Sequence, residues 1–211
     1  MTVVEPNRRE RRKEETRRRI FEAAVSLFRE RGFQSTTVDD ITERADVARG
    51  TFFNYFPRKE SVLAFLSEER AALAEANATT LLAGSAPARA KLHELYAFAA
   101  SAWTADRELS RTVFMEWMRQ AFAPTEDDAR RWETLVVRVI EQGQAAGELR
   151  RDAPAELLES LLSAVYMTTL YCWLCTPCPT ARRTPEVPLL DDLRQRLDLV
   201  LDGLATPETR A

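Results

Sequence analysis

The 211-residue chain reads as all-α, with about nine helices, and three observations carry that reading. Apolar residues recur at three- and four-residue spacing through most of its length, while runs of alternating β-branched residues are absent. Glycine is scarce, with six in the whole chain, so little of the sequence favours turns. Breaks cluster at Gly84-Ser85-Ala86-Pro87, Thr104 to Asp106, Ala123-Pro124-Thr125, Gly147 to Pro154 and Pro177 to Pro188, and cut the remainder into pieces of helical length.

The first helix lies in RRRIFEAAVSLFRERGF. Ile20, Ala24, Leu27 and Phe28 form one stripe, Phe21 and Val25 flank it, and Gly32 is its natural stop. A short second helix runs from about Thr37 to Ala45. Thr37 and Asp40 resemble a capping box with Asp in place of Glu, and Val38, Ile41 and Ala45 share a face. Asp46 stands where the chain must turn sharply, and Asp tolerates a left-handed backbone better than most residues. The third helix opens at Val47, buries Val47, Phe52 and Phe56, and ends at Pro57, which lacks an amide proton. Arg49, Thr51, Phe53, Asn54 and Tyr55 lie on or near its opposite face. Helix, tight turn and second short helix make a helix-turn-helix, which the first helix roofs into a three-helix core.

The remaining helices are expected at 59–82, 87–104, 107–122, 126–146, 154–176 and 188–204. Ser160 to Ala181 carries no charge, and Leu161 to Thr176 is mostly apolar. A membrane span is rejected there: the apolar run sits at or below the lower length limit of roughly 17 residues, contains Ser163, Thr168 and Thr169, and ends at Pro177 and Pro179. A helix apolar nearly all round is instead buried on two sides.

The spaced residues Gly32-Phe33, Thr36-Thr37-Val38, Ile41, Ala45, Val47, Arg49-Gly50-Thr51, Phe53-Asn54-Tyr55-Phe56, Lys59-Glu60 and Leu63 resemble the N-terminal signature of the TetR/AcrR family of transcriptional regulators. The signature covers about the first third of the chain. Two positions depart from it: Asp46 replaces the common Gly of the turn, and Phe52-Phe53 replaces an aliphatic-Tyr pair, which implies a weaker backbone contact at 53.

The resemblance implies an N-terminal three-helix helix-turn-helix domain over 1–58, a larger helical ligand-binding and dimerisation domain over 59–205, and a tail at 206–211. It implies double-stranded DNA as a partner. Thr36 and Thr37 would donate to a phosphate at the positive end of a helix dipole and set register. Arg49 would bond a guanine or a phosphate, and Gly50 would let the backbone approach the duplex. Thr51 and Asn54 are the candidates for base edges, Tyr55 and Lys59 would contact the phosphate backbone on the flank, and Phe53 lies among them.

The last two long helices would form a four-helix bundle with a second subunit. Leu161, Leu162, Val165, Leu193, Leu197, Val200 and Leu201 are the candidate interface. A homodimer presents two readers about 34–36 Å apart, so the operator should be nearly palindromic. An unidentified small-molecule effector would enter the larger domain and tilt the fourth helix, releasing the DNA and making the protein a repressor. Trp103, Phe114, Trp117, Met118, Phe122, Trp132, Tyr166, Met167 and Leu170 are candidates to line its site. Large adaptable side chains of this kind make either a solid core or a cavity. Glu116, inside the aromatic run, is placed to pair with a cationic effector, to lie on a solvated face or to form an intramolecular salt bridge.

Charge agrees with the division. The chain carries a formal −3, yet residues 1 to 60 hold 14 Lys and Arg against 11 Asp and Glu, and the remainder 16 against 22. Much of the basic excess lies in Arg8, Arg9, Arg11, Arg12, Lys13, Arg17, Arg18 and Arg19, interleaved with Glu10, Glu14 and Glu15. This is either a salt-bridged, solvated helix turn or an arm that touches DNA. The charged N-terminus is not a signal peptide, so the cytoplasm is the expected compartment.

Cys172, Cys175 and Cys178 are spaced C-x2-C-x2-C and raise a second hypothesis, a thiol-based redox or soft-metal sensor that still binds DNA. Against metal, a zinc or iron-sulfur site wants four ligands, and the single histidine, His93, is far off in sequence. Buried small hydrophobes are the plainer role, so no metal or cofactor is expected. Neither a Ser-His-Asp arrangement nor a Gly-rich phosphate loop is present, which argues against an enzyme. A helical dimer that binds no DNA is the distant alternative.

Overall fold

The computed structural model describes residues 8–121, 127–175 and 188–204, with side chains omitted at 120, 121 and 127–131. Among them are nine helices: α1 (Arg8–Arg31), α2 (Val38–Arg44), α3 (Arg49–Tyr55), α4 (Glu60–Ala83), α5 (Ala88–Ser101), α6 (Arg107–Ala121), α7 (Asp127–Ala146), α8 (Ala155–Leu174) and α9 (Leu189–Leu204). The chain divides into two compact units, one holding residues 1–67 and 112–119, the other 68–111 and 120–211.

In the first unit, α1 stops where Gly32 takes φ +85°, a conformation that suits glycine. The N-terminus of α2 is capped by Thr37. Its hydroxyl accepts from the Asp40 amide, and the Asp40 carboxylate accepts from the Thr37 amide at 2.7 Å, so the expected capping box is present with Asp as its acid. At the other end of α2, the Asp46 amide donates to Glu43 O at 3.2 Å and the Val47 amide to Thr42 O at 3.0 Å. That pair of bonds is a Schellman stop, with Asp46 in the left-handed position at φ 50°. The core beneath is Ile20, Ala24, Leu27 and Phe28 of α1, Ile41 of α2, Phe52 and Phe56, and Val62 and Leu63 at the start of α4, all buried. Phe56 and Phe65 pack edge to face at 6.0 Å, and Phe21 meets Phe65 at 4.9 Å.

In the second unit, α8 packs between α7 and α9, and α5 packs on α7 and α9. The inward residues include Leu92, Leu95 and Tyr96 of α5, Val136, Val139 and Ile140 of α7, Leu158, Leu162, Tyr166 and Leu170 of α8, and Leu193, Leu197 and Leu201 of α9. Helices α5 and α7 come close because residue 143 is glycine. A Cβ there would sit 2.5 Å from Ala88 Cβ and 2.9 Å from Leu149 Cδ1. The C-terminus of α8 is held by Arg107, whose Nη2 and Nε donate to Trp173 O at 2.5 and 3.0 Å while its guanidinium lies 5.1 Å from the Trp173 ring centre. By length and composition α8 is apolar enough to cross a membrane, but one of its sides is core: Leu158, Leu162, Tyr166, Thr169, Leu170 and Leu174 are buried within the unit.

Candidate nucleic-acid interface, aromatic core and partner face

The reader helix α3 presents its polar side outward. Arg49, Gly50, Phe53 and Asn54 are exposed, Thr51 and Tyr55 are half-buried, and Phe52 is fully buried beneath them. A Cβ on Gly50 would meet nothing within 4 Å, so the domain's own packing does not call for a glycine there. Gly50 is the second residue of α3, so it carries at most the roughly 0.5–1 kcal/mol that glycine costs against Ala in a helix interior, and the space it leaves opens outward. Arg49 forms a short ion pair with Asp39 of α2, and its guanidinium lies 5.8 Å from the Phe53 ring. Both partners of that pair are exposed, so it contributes little stability and can be exchanged.

The lead-in to α2 divides the candidate residues differently from what the sequence suggests. Thr37 is exposed, but Thr36 is buried, and its hydroxyl donates to Gly32 O at 2.9 Å and Leu27 O at 3.4 Å. Lys59 Nζ donates to Phe33 O at 2.7 Å and Thr36 O at 2.9 Å, and burial pulls its pKa below the usual lysine value. Both side chains are occupied in fastening the loop between α1 and α2. The Lys59 partners lie 23 and 26 residues away, so local spacing gives no sign of them.

Ion pairs brace the module from behind. Arg44 is bidentate to Glu30, at 2.8 and 2.9 Å, and holds its carboxyl at about 2. The Thr37 hydroxyl, with Arg31 at 2.9 Å assisting, holds the Asp40 carboxyl at about 2. Arg17 lies over the Phe65 ring at 4.0 Å and near Phe56 at 6.0 Å.

In the second unit, Trp103 Nε1 donates to Tyr166 Oη at 3.0 Å, and Arg70 lies over the Trp103 ring at 4.9 Å. Tyr96, which sequence reasoning did not single out, joins the group: its ring meets Trp132 at 5.7 Å and Tyr166 at 5.5 Å, and its hydroxyl lies 3.3 Å from Ser163 Oγ. Ser163 in turn donates to Glu159, whose pKa burial raises. Desolvation raises Tyr96 and Tyr166 as well, so both stay neutral. Met167 is half-buried and Leu170 fully buried. Phe114, Trp117 and Met118 belong to the first unit, with Phe114 buried and Trp117 partly exposed. Glu116 is buried and pairs with Arg119 of its own helix at 3.1 Å. Phe122 lies outside the described residues.

The seven candidate interface residues separate into two sets. Leu162, Leu193, Leu197 and Leu201 are buried within this subunit. Leu161, Val165 and Val200 face a shallow apolar groove between α8 and α9, together with Ala164, Thr168, Leu199 and Arg196. Leu157, Leu161 and Leu199 are each about half exposed or more, at 53%, 46% and 71%. An apolar surface of this kind marks an interaction site.

His93 lies 2.9 Å from Asp198, which also accepts from Arg89 at 2.6 Å, tying α5 to α9. Cys172 is buried and disulfide-bonded, Cys175 is half-buried at the end of α8, and Cys178 lies outside the described residues. No cluster of three or more metal-ligating side chains occurs among the described residues.

A small trihelical reader joined to a larger helical unit with an uncovered apolar face defines a helix-turn-helix transcriptional regulator. The sequence profile of "Bacterial regulatory proteins, tetR family" matches residues 20–65. Thermus thermophilus FadR, a TetR-family transcriptional repressor solved with lauroyl-CoA, is 30% identical over 92% of this chain and 98% of its own, with a TM-score of 0.68. The repressor DhaR of Mycobacterium sp. strain GP1 is 28% identical over 70% of this chain and 77% of its own. A FadR from Bacillus subtilis, bound to stearoyl-CoA, has the same fold at 21% identity, covering 88% of this chain and 98% of its own with a TM-score of 0.67. The chain belongs to the TetR family of transcriptional regulators.

Proposed function

We propose that the chain works as a homodimeric repressor that holds a nearly palindromic operator and is released from it by a small-molecule effector. The observation that carries the reading is the outward face of α3: an exposed glycine with no intramolecular reason, set among exposed Arg49 and Asn54 and half-buried Thr51. Arg49, Thr51 and Asn54 read base edges, Gly50 and Phe53 let the helix lie close, and Thr37 and Tyr55 fix it on the phosphates. Thr36 and Lys59 act one step back, by setting the loop that carries Thr37. DNA binding is assigned to residues 1–58 and effector binding and dimerisation to 59–205, with 206–211 as a tail.

Leu157, Leu161, Val165, Leu199 and Val200 form the dimer face, and the partner's equivalent residues cover them. The effector has an apolar body suited to the aromatic group around Tyr96, Trp103 and Tyr166. The lauroyl-CoA of the Thermus relative supports an acyl chain as that body. Its arrival is passed on by α4, whose residues up to Ser67 belong to the reader unit and from Glu68 onward to the other. The protein acts in the cytoplasm and catalyses nothing.

Selection of bound sequences from random DNA, followed by Arg49→Ala with Asn54→Ala, tests this. An inverted repeat should emerge, and the double variant should lose it. If the folded variant dimer binds the selected DNA as tightly as the parent, the reading fails.

One observation favours a second reading. The disulfide at Cys172 is consistent with a thiol-responsive regulator. Operator affinity that changes on treatment with dithiothreitol, and fails to change in Cys172→Ser, would establish it.

A further inference from the structure

Helix α1 is longer than the domain it roofs. Its first buried residue is Ile20, so Arg8 to Arg19 make twelve residues with no buried side chain, or about 18 Å of helix. The segment reads RRERRKEETRRR: eight basic residues, three acidic ones and a threonine, with no apolar residue at all. A partner helix or a lipid surface would need an apolar stripe, and there is none. A second copy of the segment would repel it. With a net charge of +5, it is complementary to a polyanion.

Its base is fastened beside both ends of the reader helix. Arg19 Nη2 donates to Asp46 O at 3.4 Å, in the turn that leads into α3, and Arg17 lies over Phe65 and near Phe56, the residue that ends α3. The segment from Arg8 to Glu15 continues the same helix with every residue exposed. As a helix it is about 10–12 Å across, whereas the minor groove is about 6 Å wide, so the helix lies on the outside of a duplex and does not insert like an extended arm.

We propose that Arg8–Arg19 is a second DNA-contacting element, a basic helical extension that lies along the phosphates flanking each operator half-site and adds affinity without reading sequence. The proposal rests on the DNA-binding reading given above. The extension spans about 18 Å, and duplex DNA offers a phosphate charge every 1.7 Å or so, so it can reach several phosphates per subunit.

The test uses two duplexes built on a sequence selected from random DNA by the full chain. One ends at the outer edges of the half-sites, and the other continues about ten base pairs beyond each. The variant Arg8→Ala/Arg9→Ala/Arg11→Ala/Arg12→Ala/Lys13→Ala keeps helix-forming residues at exposed positions. On the long duplex it should bind at least about tenfold more weakly than the parent. The slope of log affinity against log salt should also fall by about 0.9 for each phosphate that the variant leaves unneutralised. On the short duplex, parent and variant should be equal. Equal affinity and slope on the long duplex, or the same weakening on both, overturns the proposal. The underlying reading has its own control: if Arg49→Ala with Asn54→Ala leaves binding to both duplexes unchanged, it is the reader that fails.

Discussion

The ammonium of Lys59 sits 4.1 Å from the centre of the Phe33 ring and donates to the Phe33 carbonyl at 2.7 Å. With its second bond, to Thr36 O, this cation closes the loop between α1 and α2 from a position up to 26 residues further on. Lys59→Met should therefore lower the stability of the reader unit by about 1–3 kcal/mol, since two carbonyls lose their donor. Urea unfolding measures the loss. If Lys59 serves the loop alone, the salt dependence of operator binding should not change; a slope reduced by about one unit would show that it also contacts a phosphate.

Gly50 offers a test in which stability and binding move apart. Gly50→Ala should stabilise the free protein slightly, by up to about 0.5 kcal/mol at this first-turn position, as nothing lies within 4 Å of the added carbon. Operator affinity should fall in the same variant, since the methyl group stands between α3 and the groove. Thermal unfolding and anisotropy titration of one preparation give both numbers. A variant that is more stable and binds equally well would mean that α3 does not approach the duplex at residue 50.

Two carboxylates make the reader sensitive to acid. Asp40 and Glu30 have ordinary values of 3.8 and 4.5 when unfolded and about 2 when folded, held down chiefly by Thr37 and by Arg44 respectively. A depressed folded value stabilises the fold above the unfolded value, and that stabilisation drains away as the pH falls. The reader should therefore keep full stability at neutral pH and lose it between about pH 4.5 and 2. Stability measured against pH should flatten over that window in Asp40→Asn with Glu30→Gln. An unaltered acid transition in this double variant would show that other carboxylates govern it.

Neighbouring leucines on α9 should behave in opposite ways. Leu197 is 1% exposed and Leu199 71%. Leu197→Ala should cost about 2–5 kcal/mol of subunit stability. Leu199→Glu with Leu161→Glu should leave each subunit folded and convert the dimer to monomers in sedimentation velocity, with operator binding lost alongside. A double variant that remains dimeric would place the partner elsewhere.

How far the sequence spoke depended on how far apart the interacting residues lie. The reader was legible because its signals are local. Thr37 and Asp40 are three apart, Asp46 closes α2 through its immediate neighbours, and Gly32 and Pro57 punctuate the flanks. The sequence does not show that the Thr36 hydroxyl turns inward to Gly32 and Leu27, or that Lys59 reaches the carbonyls of Phe33 and Thr36, more than twenty residues away. Along α8, residues apolar on nearly every side gave no period to tell the inner face from the outer, so Leu162 and Leu161 looked alike, though one is buried and the other 46% exposed. Tyr96 has the spacing of an ordinary core position, and only the fold brings its hydroxyl beside Ser163.

Arg17 has a consequence for how a signal leaves this domain. Its guanidinium spans Phe56, which ends the reader helix, and Phe65, in the early turns of α4, and it also stands at the root of the basic extension of α1. A displacement of Phe65 therefore has two outputs from one input. The helix that reads and the helix proposed to grip are disturbed together, so specific and nonspecific affinity should decline in step, and a released repressor would not linger on neighbouring DNA.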